Sequence, residues 1–181
     1  MNRVLNPRRK DRRKSIRSER GERRDSGAAM IEMAIAFGVL VTLLVGTVTA
    51  AIAFSQQNSI ENAAREGSRF AAVYPGDPTQ QSWLADVIDV TRAAGVGDLA
   101  ATVPGQFICV AYVDGGSVTA LRESGGAMES STTNSACYTD DLPASEVRVQ
   151  VVTGRDSEIQ GVFFSVDLDL RGQAAARYER G

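Results

Sequence analysis

No histidine occurs anywhere in the chain, and this removes the commonest general base, proton shuttle and metal ligand available at neutral pH. The glycine pairs Gly115-Gly116 and Gly125-Gly126 lack a following Lys-Ser/Thr, so neither builds a phosphate-binding loop. Cys109 and Cys137 are the only cysteines, too far apart in sequence for a C-x-x-C redox pair. A calcium site would have to draw on Asp114, Asp140, Asp141, Asp167 and Asp169. No calcium-loop spacing of about twelve residues links them, and a solvated strand face accounts for the last two. With no nucleophile and base to pair, the sequence points away from an enzyme, a cofactor or a small-molecule substrate.

Aromatic residues are scarce, at 6% of the chain, and the first 25 residues have none. Those residues instead hold eleven Lys/Arg against four acids, a local net of +7, while the remainder carries nine basic and eighteen acidic residues, a net of −9. The overall charge of −2 thus conceals a basic tail on an acidic body. Without aromatics or apolar periodicity, residues 1–27 read as a disordered leader that could hold phosphates only non-specifically, so no nucleic-acid partner is expected.

Behind the leader the chain turns apolar. From residue 27 to 54 the one charge is Glu32, and residues 33–54 form a run of 22 without a charge; about 20 cross a hydrocarbon core as a helix. The run shows no polar stripe of the kind a soluble core helix carries. A lipid bilayer is therefore the first expected partner. The next basic residue after the leader is Arg65, and positive-inside reasoning places the N-terminus in the cytoplasm and the body outside. A cleavable secretory signal is the rival, with Ala51-Ile52-Ala53 as its small-x-small site, but signal cores run roughly 7–15 residues. A twin-arginine signal through Arg12-Arg13 fits worse, because the pair lies fourteen residues before the apolar run. Within the span, Ala34, Gly38, Thr42, Gly46 and Ala50 recur every fourth position. Such a ridge lets a second helix approach closely, although small residues are also simply common in membrane helices.

Glu32 lies where a carboxylate costs up to ~3 kcal/mol if held at the bilayer centre. Near the interface it could snorkel and complement the positive helix end. It is also the fifth residue after Gly27, directly behind a basic leader. That arrangement resembles a type IV prepilin processing site. The resemblance implies a prepilin peptidase cutting between Gly27 and Ala28, after which Glu32 pairs with the new α-amine of a neighbouring subunit. The physics is coherent, because an ammonium and a carboxylate neutralise one another most strongly in low dielectric. Past the span come Gln56, Gln57, then Asn62-Ala63-Ala64-Arg65-Glu66-Gly67-Ser68-Arg69-Phe70-Ala71-Ala72. This segment resembles the TadE-like family of tight-adherence (Tad) pilus assembly proteins. The ending Ala174-Ala175-Ala176-Arg177-Tyr178-Glu179 resembles the same family's closing strand. Two features depart from the pattern: Met33 stands where an aromatic is common, and the leader is long. The resemblance implies, as partners, other Tad pilins and assembly-platform membrane proteins.

The body reads as α+β. Ile60, Ala63, Ala64, Gly67, Phe70 and Ala71 keep three- and four-residue spacing up to Pro75-Gly76, so one helix is expected over residues 28–73, roughly 70 Å long. A second is expected at 80–94, with Trp83, Leu84, Val87, Ile88 and Val90 as its apolar face and Gly95 as its stop. Strands are expected at 107–113, 146–152 and 165–171, where the period becomes two, and residues 115–141 read as a weak hairpin and a long loop. In an exported domain the two cysteines pair most simply as a disulfide, the alternative being two free thiols. The expected architecture is pilin-like: a long N-terminal transmembrane and amphipathic helix, a short helix and a small antiparallel sheet. Its parts are a leader (1–27), a transmembrane helix (28–54), its extramembrane continuation (55–74) and an exported domain (75–181). Two function classes fit these features: a pilin-like pseudopilin of a Tad-type assembly and secretion system, or an unprocessed single-pass anchored binding module.

Overall fold

The computed structural model describes residues 8–132, 137, 146–161 and 164–178, with side chains from Gly27 onward. Helix α1 spans Arg8–Val73, 66 residues. Its start lies inside the leader that was expected to be disordered, which fits the strong helix propensity of Arg, Lys and Glu. The chain divides into two compact units, Met1–Val45 and Gly46–Gly181. Asp140, Asp141 and Glu179 lie outside the described residues.

In the second unit, α1 ends at Val73 and Tyr74-Pro75-Gly76-Asp77-Pro78 leads into α2 (Gln81–Ala94). The bend is held locally. The Asp77 carboxylate accepts from the Thr79 backbone N–H at 3.0 Å and from its hydroxyl at 2.6 Å, an Asx-type turn. Helix α2 buries Trp83, Leu84, Val87, Ile88 and Thr91, the stripe that a 3.6-residue period places on one face.

Five strands complete the fold: β1 (Phe107–Asp114), β2 (Ser117–Ser124), β3 (Ala127–Ser131), β4 (Arg148–Gln160) and β5 (Ser165–Arg177). They form one sheet in the order β3-β2-β1-β4-β5, antiparallel throughout. The weak hairpin is thus a full pair of tight turns. Gly115 and Gly116 have φ of 56° and 88°, and Gly125 and Gly126 have 56° and 84°. Positive φ at both central residues is what a type I′ two-residue hairpin needs. The register agrees, with Asp114 opposite Ser117 and Ser124 opposite Ala127.

Central β1 is covered on both faces. Ile108, Val110 and Tyr112 join Val149 and Val151 of β4 and Ile60, Ala63 and Ala64 of α1 in the main core. Each buried Ile or Val contributes about 1.5–3 kcal/mol of transfer free energy. On the other face Ala111 and Val113 pack with Val118, Ala120 and Cys137. Cys109 and Cys137 are joined, with Cα atoms 5.5 Å apart, so the segment beyond β3 is tied back to the central strand.

Candidate functional site

The residues with functional meaning in the sequence fall on two stretches of α1. Gly27, Ala28 and Glu32 are all exposed and all helical. A methyl placed on Gly27 would meet no atom within 4 Å, so nothing in the folded chain calls for glycine there. A Cβ on Gly38 or Gly46 would likewise meet no atom within 4 Å. Glycine costs a helix interior roughly 0.5–1 kcal/mol relative to alanine. Packing within the chain does not require glycine at any of these three positions.

The apolar side chains around them are also unpartnered. Ile31, Ile35, Phe37, Leu40 and Leu43 are each more than 60% exposed. The helix Gly27–Val73 includes a window long and apolar enough to cross a membrane, none of it buried within the chain. Ala34, Gly38 and Ala50 are exposed, and Thr42 and Gly46 are partly covered. The Thr42 hydroxyl donates to the Gly38 carbonyl at 2.9 Å, which lets a polar side chain sit in an apolar segment without an unmet donor.

The second stretch is the Asn62–Ala72 motif region, residues 62–72. Ala63, Ala64, Gly67, Ser68 and Ala71 are buried, while Asn62, Arg65, Glu66 and Arg69 are exposed or half-exposed at the surface. Small size is used here, unlike at Gly27. A Cβ on Gly67 would lie 3.1 Å from Thr91 Cβ, with the Thr91 hydroxyl oxygen nearer still, so α2 crosses α1 at this glycine. The outer face is laced locally, Arg65 reaching Glu61 at 3.1 Å and Asn62 at 3.4 Å.

Several structural residues carry no sequence signal of this kind. Thr153 of β4 donates to the Ile60 carbonyl at 3.0 Å, and a Cβ on Gly172 of β5 would come within 2.7 Å of that same oxygen. A hydroxyl and a glycine on adjacent strands thus let the sheet touch the helix backbone. Gln57 adds a bond to the Arg171 carbonyl at 2.8 Å. Arg92, in the last turn of α2, pairs with the buried Glu123 of β2. At the far end, Tyr178 donates to the Gly76 carbonyl at 3.1 Å and its ring stands edge-on to Trp83 and Tyr112. Tyr74 donates to Asp86 at 2.8 Å. That hydrogen bond, and then the Asp86 charge, push the Tyr74 phenol above its ordinary value. A hollow of about 670 Å³ lies beside these rings, lined by Tyr74, Asp77, Tyr112, Asp114 and Tyr178; all its polar groups belong to the turn and strand ends that form it.

A family resemblance covers the first stretch and most of the second. The family model for TadE-like protein matches residues 27–69, beginning at the Gly27 position and ending within the Ala63/Gly67 motif. No curated protein matches the chain, and no solved structure does.

Proposed function

We propose, from the TadE-like match over residues 27–69, that this chain is a non-enzymatic, pilin-like component of a Tad-type pilus assembly and secretion system, anchored by α1 in the cytoplasmic membrane. The observation that carries the reading is the exposed apolar surface of α1 immediately behind Gly27 and Glu32. A surface of that extent is costly in water and neutral among lipid tails or partner helices. The leader stays in the cytoplasm and the sheet domain is exported, following the charge asymmetry. Prepilin peptidase removes residues 1–27. Glu32 then neutralises the Ala28 ammonium of a neighbouring subunit, and the Ala34/Gly38/Thr42/Gly46/Ala50 ridge admits the neighbour's helix.

One observation favours the second reading, an unprocessed anchored module. The Gly27-Ala28 peptide lies inside a continuous helix, and a peptidase requires an extended backbone. Processing must therefore unwind a turn locally, which glycine makes cheaper. The N-terminal residue of the membrane-resident protein, in cells with a working pilus system, separates the two. Pilin-like processing gives Ala28; Gly27→Leu leaves the full-length chain; Glu32→Ala is still cut but fails to assemble. Met1 at the N-terminus, with neither substitution having an effect, would overturn the pilin-like reading.

A further inference from the structure

The β4–β5 ribbon runs back along α1 well beyond the core. Ser157 donates to Gln56 Oε1 at 2.7 Å, and the Thr49 hydroxyl donates to the Gln160 carbonyl at 3.2 Å. Thr49 lies inside the uncharged run, five residues before its end at Phe54. Beyond Gln160 the chain reverses, with the Gly161 N–H donating to the Phe164 carbonyl at 2.7 Å. The ribbon end is apolar and open: Phe164 is 53% exposed and Val166 46%. Cross-strand partners share a face of a sheet, so Val166, paired with Ile159, and Leu168, paired with Ser157, lie on the side that meets α1.

Two boundaries coincide. On α1 the apolar residues Val48, Ile52 and Phe54, each more than half exposed, give way at Ser55 to Gln56, Gln57 and Asn58. On the ribbon, Ile159 and Val166 give way to Glu158 and Asp167, which are paired opposite one another. The Gln56–Ser157 and Thr49–Gln160 bonds hold those two transitions side by side. From Glu158 to Gly161 the ribbon advances about 10 Å at a strand's rise, and interfacial elements seat their apolar faces roughly 5–10 Å into the headgroup and acyl boundary.

We propose that the end of the β4–β5 ribbon is a second membrane contact, with Ile159, Phe164 and Val166 seated in the interfacial layer of the bilayer beside α1. This contact rests on the membrane-anchored reading of α1. The like-charged Glu158–Asp167 and Asp156–Asp169 pairs stop it from sinking further, since carboxylates do not enter hydrocarbon unpaired. A helix alone fixes depth but leaves the domain free to tilt against the bilayer; a second contact at one side fixes that tilt.

The test uses the full chain in phosphatidylcholine vesicles whose acyl chains carry bromine, a contact quencher of tryptophan. Phe164→Trp and Val166→Trp report on the ribbon end, and Val39→Trp reports on the helix. Trp83, 4% exposed in the core, supplies the background measured in the unsubstituted chain. The expected result is loss of most of the added emission for all three reporters. Quenching at position 39 with none at 164 or 166, and aqueous acrylamide quenching there instead, overturns the ribbon contact and leaves the anchor standing. Shielding of 164 and 166 from both quenchers means that a second protein surface covers the end, and overturns it too. No quenching at position 39 removes the anchor and the ribbon proposal together.

Discussion

A methyl group added at Gly67 would land against the Thr91 side chain, while one added at Gly38 or Gly46 would meet nothing. The same substitution should therefore act in opposite directions along one helix. Gly67→Ala forces α2 outward, and overpacking of this kind costs typically about 1–3 kcal/mol. Gly38→Ala relieves a poor helix former and should stabilise the isolated chain by about 0.4–1 kcal/mol. Thermal unfolding of the full chain in detergent reads both, and a Gly67→Ala chain as stable as the parent would mean that α1 and α2 do not cross there. If the Gly38 ridge seats a neighbouring helix, Gly38→Ala should weaken association while leaving that melting curve unharmed. Asp77 gives a pH handle at the same scale. Donation by the Thr79 hydroxyl, then by the Thr79 N–H, holds its carboxyl below the ordinary 3.8. A carboxyl depressed in the folded state contributes fully above its unfolded value and loses that contribution as pH falls through the lower folded one. The turn between α1 and α2 should accordingly stay intact at pH 4 and above and loosen only under stronger acid. Carboxyl carbon shifts followed by NMR check this, and a midpoint above 3.8 would contradict the hydrogen bonds.

Elements differed in how plainly the sequence announced them. Helix α2 was legible because Trp83, Leu84, Val87 and Ile88 recur on one helical face, and the structure buries all four; Val90, read onto the same face, is only partly buried, and Thr91 is buried instead. Of β4 the inner half was legible, and of β5 the outer half, where Val166, Leu168 and Leu170 alternate with Asp167 and Asp169. Val149 and Val151 alternate cleanly, but Asp156-Ser157-Glu158-Ile159-Gln160 has a single large apolar residue, and its acidic partners across the ribbon repel it. The outer half of β4 and the inner half of β5, from Gly172 to Arg177, are strands because an unbroken register from Arg148↔Arg177 to Gln160↔Ser165 pairs each with a legible half, which is tertiary context rather than propensity. The β2–β3 hairpin was read as weak because residues 115–141 are rich in Gly, Ser and Thr; its definition comes from the Gly125-Gly126 turn. The disulfide has an energetic meaning at this scale. Cys109 and Cys137 are 28 residues apart in sequence, and a loop of that size removes about 3.5 kcal/mol of unfolded-state entropy in the chain-entropy view. Replacing both with serine should lower stability by about that amount while leaving α2 and the main core assembled, since the bridge lies on the opposite face of β1. Denaturant unfolding of the two forms measures it, and equal midpoints would show that the bridge adds nothing.

For the whole molecule, the candidate site was legible as a position and not as a set of contacts. Gly27 and Glu32 stand out by spacing and by the cost of a carboxylate in an apolar run, but among the described residues of one chain they make no contact that would reveal their use, and the proposed peptidase and neighbouring subunit would act in trans. The ribbon along α1 left the opposite record: definite contacts at Thr49 and Gln56, and no motif. What joins both proposals is the orientation proposed for the chain in the bilayer, and that rests on charge. Eleven Lys/Arg precede the apolar run, and the next basic residue after Arg24 is Arg65. Translocating the leader would carry a net +7 across the membrane against the usual potential, at about 2.3 kcal/mol per charge per 100 mV. The acidic body meets no such opposition. A reporter active only outside the cytoplasm should therefore work when fused after Gly181 and fail when placed within residues 1–20, and a cytoplasm-dependent reporter should give the inverse. Reversing the leader charges, by changing its arginines to glutamate, should lower or invert that ratio while leaving the apolar helix unchanged. The opposite pattern in the unaltered chain would put the Gly27-Ala28 peptide on the wrong side for a peptidase acting from the cytoplasmic face, and would bring the ribbon end against the inner leaflet, where anionic lipids would repel Glu158 and Asp167.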